Sequence, residues 1–337
     1  MKSFLFYLLF AFTLCAQVED VDSYLGEALL DTAILDSKQI HIPGYPNAYN
    51  PSLIPYKDGY LLSFRYRGRF PATLRNSPRI DFSMIGVALL NKNLKINSQS
   101  VQLLQIKSFA STYSLTAEDA RLYNVGDRTF IIFNDLSPMQ GEGEFSMYLG
   151  ELVEGRDGFI LKEPAVLLNY PFAGKIEKNW SPFLLGDKFY LIYSNQPERV
   201  ILEVNLETGR CQEVTRMAQN WNWKYGQIRG GTPVYPVEEG LFTFFHSSFP
   251  AKISKNRAYV MGACVMDKNY PFSVKKITSF PLGNLSDYTE QNRSKIVFPG
   301  GLVIEDDIML VAWGKNDNQV HITTFDREKL LNSMDEL

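Results

Sequence analysis

Five times along the chain, a short cluster of polar or small residues gives way to two apolar runs separated by a turn. The second runs read "KDGYLLSFRY" from Lys57, "GDRTFIIFND" from Gly126, "GDKFYLIYSN" from Gly186, "EEGLFTFFHS" from Glu238 and "DDIMLVAWGK" from Asp306. Each opens on turn residues and continues in aromatic and β-branched residues, the composition of a strand that forms the second arm of a hairpin. The first arms are "YNPSLIPY", "EDARLYNV", "NWSPFLLG", "GGTPVYPV" and "FPGGLVIE", all polar or small at the start and apolar afterwards. The motif returns every 50 to 70 residues or so, a length that suits the four-stranded blade of a propeller. Helical spacing is confined to "DREKLLNSM" near the C-terminus and "DSYLGEALLDTA" near the N-terminus. The pattern predicts an all-β chain, a five-bladed β-propeller with a central site. A pair of β-sandwiches is the competing reading, but sandwich strands rarely repeat a polar mouth five times.

In a propeller, equivalent positions of successive blades surround the axis, so the five mouths should form one ring. Its expected members are Asn50; Glu118, Asp119 and Arg121; Glu177, Lys178 and Asn179; Arg229 and Thr232; Phe298 and Pro299. The far ends of the second arms add Arg65 and Arg67, Asn134 and Asp135, Ser194 and Asn195, His246, and Lys315 to Asp317. Convergent carboxylates, cations and amides in a concavity suit a polar ligand. Blander roles compete. Asp127 and Asp187 read as turn residues, and Glu118 with Arg121 could form an ion pair that braces a strand. Adjacent strand residues face opposite ways, so one of Glu118 and Asp119 should point away from the other.

Composition narrows the partners. A formal net charge of −3 and scattered basic residues argue against nucleic acid or an anionic membrane. The 45% hydrophobic content is enough for a substantial core. Lys2, an apolar run from Phe4 to Leu14 and Ala16 have the form of an export leader too short to span a bilayer. No later segment is long and apolar enough to span a membrane either. The expected division is a leader at residues 1–16, an extension at 17–48, the propeller at 49–331 and a tail at 332–337, with an exported mature chain. Beyond the leader only Cys211 and Cys264 remain, enough for one bridge, and no Cys/His metal spacing exists.

The motifs "EDARL", "EKNWSPF", "RGGTPV" with "FFHSSF", "YVMGACVMD" and "VFPGGLV…AWGKND" occur in the order found in glycoside hydrolase family 130, the β-mannoside phosphorylases. The resemblance covers residues 49–331. It implies a five-bladed propeller with a central sugar site and cleavage of β-mannosides with inversion, by phosphorolysis or, in a smaller group, hydrolysis. By motif position, Asp119 resembles the family's general acid, delivering its proton through a mannose hydroxyl. Asn50, Arg65 and Asp317 match residues that grip the mannosyl unit, with Glu118, Arg121 and Asn179 beside them. Lys178 and His246 match cations that hold phosphate. An inverting displacement needs a proton donor on one face and an anchored nucleophile on the other, and dianionic phosphate needs several cationic donors.

The stretch "QGEGEFSMYLGE" departs from the pattern, having Glu142 and Glu144 where phosphorylases supply arginines. Arg229 could compensate. Otherwise water replaces phosphate, and Glu142, Glu144 or Glu177 becomes the candidate base, a reading that export favours. The expected partner is a β-mannoside oligosaccharide or glycan, with no metal or organic cofactor and phosphate as a co-substrate if the chain is a phosphorylase. A glycan-binding propeller without catalysis and a mannosyltransferase are the alternatives.

Overall fold

A computed structural model describes residues 33–68, 82–108, 113–137, 144–250, 257–283, 285–288 and 296–337. The leader, all of the "DSYLGEALLDTA" segment but its last residue, and Glu142 lie outside the described residues.

The strands form five antiparallel sheets. After β1 (Ile34–Ile40), the first blade contains β2 (Ala48–Tyr56), β3 (Gly59–Tyr66), β4 (Met84–Asn91) and β5 (Gln102–Leu103). The second contains β6 (Glu118–Val125), β7 (Arg128–Leu136), β8 (Phe145–Gly155), β9 (Gly158–Leu161) and β10 (Val166–Leu167). The third is β11 (Ser181–Leu185), β12 (Lys188–Ser194), β13 (Glu198–Val204) and β14 (Cys211–Ala218). The fourth holds β15 (Gln227–Arg229), β16 (Tyr235–Pro236), β17 (Leu241–Pro250), β18 (Arg257–Met266) and β19 (Val274–Thr278). A short helix, α1 (Leu285–Tyr288), precedes the fifth, made of β20 (Val297–Glu305), β21 (Ile308–Lys315) and β22 (Gln319–Asp326). The chain ends with α2 (Arg327–Asn332), on the expected "DREKLLNSM" segment, and β23 (Met334–Glu336).

This is the expected five-bladed propeller, but its limits are wider than 49–331. β1 pairs with β22 at the outer edge of the fifth blade, and β23 pairs with β19 in the fourth. Both ends of the described chain are therefore built into blades. A strand from the N-terminal side completing the last sheet ties the ring shut, which leaves only short, protected edges.

Four of the five hairpins turn on two residues, with the first in the left-handed region at Lys57 (φ 49), Gly126 (φ 57), Gly186 (φ 64) and Asp306 (φ 41). Such turns match the right-handed twist of the flanking strands. In the fourth blade, four residues separate Pro236 from Leu241. The apolar strand faces meet between neighbouring blades. Ile54, Leu61, Leu122 and Phe133 pack between the first and second, and Ile132, Leu149, Leu191 and Leu202 between the second and third. Leu53, Leu62, Val303 and Leu310 join the fifth to the first. Burying each such side chain contributes about 1.5–3 kcal/mol, so the ring is held mainly by these blade contacts. Cys211 and Cys264 are both buried free thiols, so the bridge that two thiols would allow is not formed.

Candidate active site

A cavity of about 360 Å³ opens where the inner strands begin and the second strands end. Asn50, Glu118, Asp119, Asn179 and Phe298 come from the inner-strand mouths, Arg65 and His246 from the ends of second strands. Arg67, Lys178, Arg229 and Asp317 complete the set of sequence-predicted residues on its wall. Residues separated by more than 250 positions thus meet in one concavity.

The mouths share a backbone device. Asn50 (φ 44), Asp119 (φ 50) and Asn179 (φ 63) occupy the left-handed region, which Asn and Asp tolerate best after glycine. In β2 and β6 this residue coincides with a break in register, between Tyr49 and Ser52 and between Glu118 and Arg121. Such bulges re-aim a side chain. Glu118 and Asp119 consequently face the same cavity, against the strand alternation expected for them. In the fourth blade Gly230 takes the mouth position, and a Cβ there would lie 1.8 Å from the Asn179 carbonyl oxygen.

Both acids meet one guanidinium. Arg65 Nη2 donates to Glu118 Oε1 at 2.7 Å and Nη1 to Asp119 Oδ1 at 3.1 Å. Its Nε is fixed by Ser83 Oγ at 3.1 Å. Asn50 Nδ2 donates to the same Asp119 oxygen at 2.8 Å. Lys178 Nζ reaches Glu118 Oε2 at 2.6 Å, and Asn134 donates to that oxygen at 3.1 Å. Burial alone would raise the Asp119 pKa. Arg65, Arg121, the Asn50 hydrogen bond and Lys178 outweigh it and bring the carboxyl down to about 2.

Arg121 does not line the cavity, contrary to its expected place in the sugar grip, and it forms no brace with Glu118. It lies beneath the ring, 1% exposed, donating to the Gly231 carbonyl at 3.0 Å, to Asn179 Oδ1 at 3.1 Å and to the Asp119 carbonyl. Burial, partly offset by Asp119, lowers its pKa to about 10, so it remains a cation under the acid. The side chain two positions after each left-handed mouth residue generally serves this linking role. Ser52 Oγ accepts from Leu122 N, and Ser181 Oγ accepts from Gly231 N.

His246 is not the cation expected. Burial brings its pKa down to about 3; the Gly230 carbonyl opposes that and the Arg121 and Arg229 charges reinforce it. The neutral ring lies tilted against Phe298, 4.7 Å between centroids, with Nδ1 against the Gly230 carbonyl, where Nδ1–H donates.

Of the glutamates considered for water activation, the two that are described, Glu144 and Glu177, are turned elsewhere. Glu177 accepts from Trp180 Nε1 and the Tyr193 hydroxyl, each at 2.9 Å, and from the Gly174 amide. Glu144 pairs with Lys175 at 3.1 Å. Among other ring candidates, Asp135 is held by Ser108 and Thr116, Thr232 turns to Thr243, and Asn195 meets Arg199. Asn134 stands behind Glu118. Pro299 and Lys315 do not reach the wall, and neither does Ser194, whose hydroxyl turns to the Gln196 carbonyl. Arg67 does reach it, as do Phe145, Tyr259 and Ile296, which the mouth pattern missed. Phe145 begins and Tyr259 lies near the start of a third-position strand, outside the two-strand repeat. No group of metal-ligating residues occurs among the described residues, and no described helix is long and apolar enough to cross a membrane.

The fold is a five-bladed propeller with an acid–cation cavity where its inner strands begin, and comparison with known proteins shows what the chain is similar to. Residues 180–336, slightly under half the chain, match the model of glycoside hydrolase family 130, described as β-1,4-mannooligosaccharide phosphorylase. Among solved structures, a β-1,2-mannobiose phosphorylase from Listeria innocua, in complex with β-1,2-mannobiose, is 18% identical with a TM-score of 0.61; 90% of this chain and 94% of that one are covered. A mannose phosphorylase from Leishmania mexicana in complex with phosphate ion is 14% identical with a TM-score of 0.58, covering 90% and 92%. A third structure represents family 130 glycoside hydrolases that target β-1,2-mannosidic linkages in Candida mannan, 11% identical with a TM-score of 0.62, covering 89% and 96%. No curated protein matches. The similarity to glycoside hydrolase family 130 read from the sequence is thereby shown by the family's model over the C-terminal part, and the solved structures share the fold over most of the chain.

Proposed function

We propose that the chain is a family 130 glycoside-processing enzyme that cleaves β-mannosidic bonds with inversion, using inorganic phosphate as nucleophile and Asp119 as the acid. One observation carries the choice of phosphate over water. Besides Arg65, which is engaged by Glu118 and Asp119, the cavity wall holds three cations, Arg67, Lys178 and Arg229, while Glu144 and Glu177 spend their carboxylates on other partners. Arg229 makes no ion pair among the described residues, and the Lys178 side chain is 36% exposed and able to swing from Glu118 to an anion. An anchored dianion needs such donors, whereas a hydrolase needs a second carboxylate able to activate water across the sugar.

The low Asp119 pKa fits this chemistry only if the ligand changes it. In the free cavity the carboxyl is ionised at neutral pH. Phosphate beside the cations offsets their charge, and a bound sugar excludes water. Both favour the protonated acid. In this reading Asn50, Arg65 and Asp317 hold the mannosyl unit with Glu118 and Asn179, and Arg121 acts from below on Asp119. His246, neutral, contributes a hydrogen-bonding ring rather than charge. No metal or organic cofactor takes part in these steps. The leader-like residues 1–16 support an exported protein, which N-terminal sequencing of the chain recovered from the expressing cells would test.

The deciding experiment incubates the purified chain with manno-oligosaccharides, with and without phosphate. Phosphate-dependent release of mannose 1-phosphate is the expected result. Free mannose released at equal rates in both would replace phosphorolysis by hydrolysis. Binding without any turnover would leave a glycan-binding propeller.

A further inference from the structure

A second concavity, of about 460 Å³, lies between the third and fourth blades at the same end as the central cavity. Gln196 and Pro197 come from the loop between β12 and β13, Gln219, Asn222 and Trp223 from the crossing between β14 and β15, and Gln227 from β15 itself. The lining carries four carboxamides, one indole and no charged side chain. Carboxamides both donate and accept, as sugar hydroxyls do; the Trp223 indole is buried, 6% exposed, and backs the groove without offering a ring face.

The walls are fixed by their own hydrogen bonds. Gln196 Nε2 donates to the Trp221 carbonyl at 2.9 Å, and its Oε1 accepts from Ile228 N at 2.9 Å. Gln227 Nε2 donates to the Gln196 carbonyl at 2.6 Å, and Trp223 Nε1 to the Thr278 carbonyl at 2.6 Å. Gln219 is tied by its backbone amide to the Pro197 carbonyl at 3.0 Å. Asn222 is different: it is exposed, and its carboxamide makes no hydrogen bond among the described residues.

The groove and the central cavity are lined by residues of the same strand. In β15, Gln227 and Arg229 are exposed and Ile228 between them is buried, so the two lie on one face of the strand, about 7 Å apart by strand rise. Gln227 lines the groove and Arg229 the central cavity.

We propose that this groove is a subsite for the neutral, distal part of a glycan whose scissile bond lies in the central cavity, so that the chain acts on oligosaccharides of three or more sugars in preference to disaccharides. This rests on the function proposed above. A rigid, uncharged, hydrogen-bonding slot reached along β15 receives further sugar units, with Asn222 supplying an unused donor and acceptor.

The test measures kcat/KM on a series of manno-oligosaccharides from two to six sugars for the wild type and for Asn222→Ala, together with glycan-induced change in tryptophan fluorescence. The wild type should gain with chain length beyond the disaccharide. Asn222→Ala should lose about fivefold on the longer substrates, the worth of about one net hydrogen bond, and keep its disaccharide rate. Equal rates at every length, or an equal Asn222→Ala effect on the disaccharide, would overturn the subsite while leaving the proposed activity intact. If no mannoside is turned over, the activity fails, and the fluorescence titration decides the groove separately. Length-dependent quenching weakened by Asn222→Ala would retain it, and its absence would remove it.

Discussion

Asp119→Asn isolates the proposed acid with little disturbance elsewhere. Asparagine is close in shape to aspartate and tolerates the left-handed backbone at φ 50, as Asn50 and Asn179 do in neighbouring blades. It can still accept from Asn50 and Arg65 through its carbonyl oxygen, and Arg65 keeps its bond to Glu118 at 2.7 Å. The cavity should therefore keep its form and sugar affinity. What disappears is the transferable proton, which for a positioned acid supplies about 10²–10⁴-fold in rate. At 1.36 kcal/mol per tenfold, the barrier should rise by about 3–5 kcal/mol. In a steady-state assay of mannose 1-phosphate release, kcat should fall by about three orders of magnitude while KM for the mannoside moves less than about threefold. A variant within tenfold of the wild-type kcat would refute the assignment, because no other described carboxyl of the cavity wall has the same position at the Arg65 and Asn50 donors.

Three further outcomes follow from the same contacts. The Asp119 pKa, held down to about 2 from an unfolded value near 3.8, gives stability that is present above the unfolded value and lost as pH falls through the folded one; this amounts to about 2 kcal/mol. Acid titration of unfolding should show that loss between about pH 4 and pH 2 in the wild type and a smaller one in Asp119→Asn; identical profiles would contradict it. Glu177→Gln should keep turnover within about tenfold while unfolding at lower denaturant, since its carboxylate serves Trp180 and Tyr193; a loss of a hundredfold or more in turnover with unchanged stability would restore it as a base. Arg199, 1% exposed, meets Asn195 and Met266 but no carboxylate among the described residues. Replacing a buried, poorly compensated cation by an apolar chain is often neutral or stabilising, so Arg199→Met should not lower the thermal midpoint; a drop of several degrees would show that the charge has a stabilising partner.

The hairpins were legible because inner and second strands are apolar on both faces, and two-residue turns leave a local signature at Gly126, Gly186 and Asp306. Their repetition was enough to bring Asn50, Asp119, Lys178, His246 and Asp317 to one cavity. Outer strands carry weaker patterns: β1 reads "ILDSKQI", half exposed, and nothing in it announces a partner almost 300 residues away. The bulge that turns Glu118 and Asp119 to one side was hidden by assuming strict alternation, although Asn, Asp and Asn at three corresponding mouths were a signal for left-handed backbone. Arg121 and His246 were misread for a related reason. Charge and depth depend on three-dimensional burial, and a sequence shows a guanidinium or an imidazole without showing that it lies under the ring.

The central claim is that remote residues meet to place a proton donor and an anchored phosphate on opposite faces of one sugar. Following the first minutes of reaction on a β-mannoside by ¹H and ³¹P NMR tests it most directly. The account predicts α-mannose 1-phosphate as the first product from the wild type and none from Asp119→Asn. A β-configured product, or mannose formed at the same rate without phosphate, would contradict it.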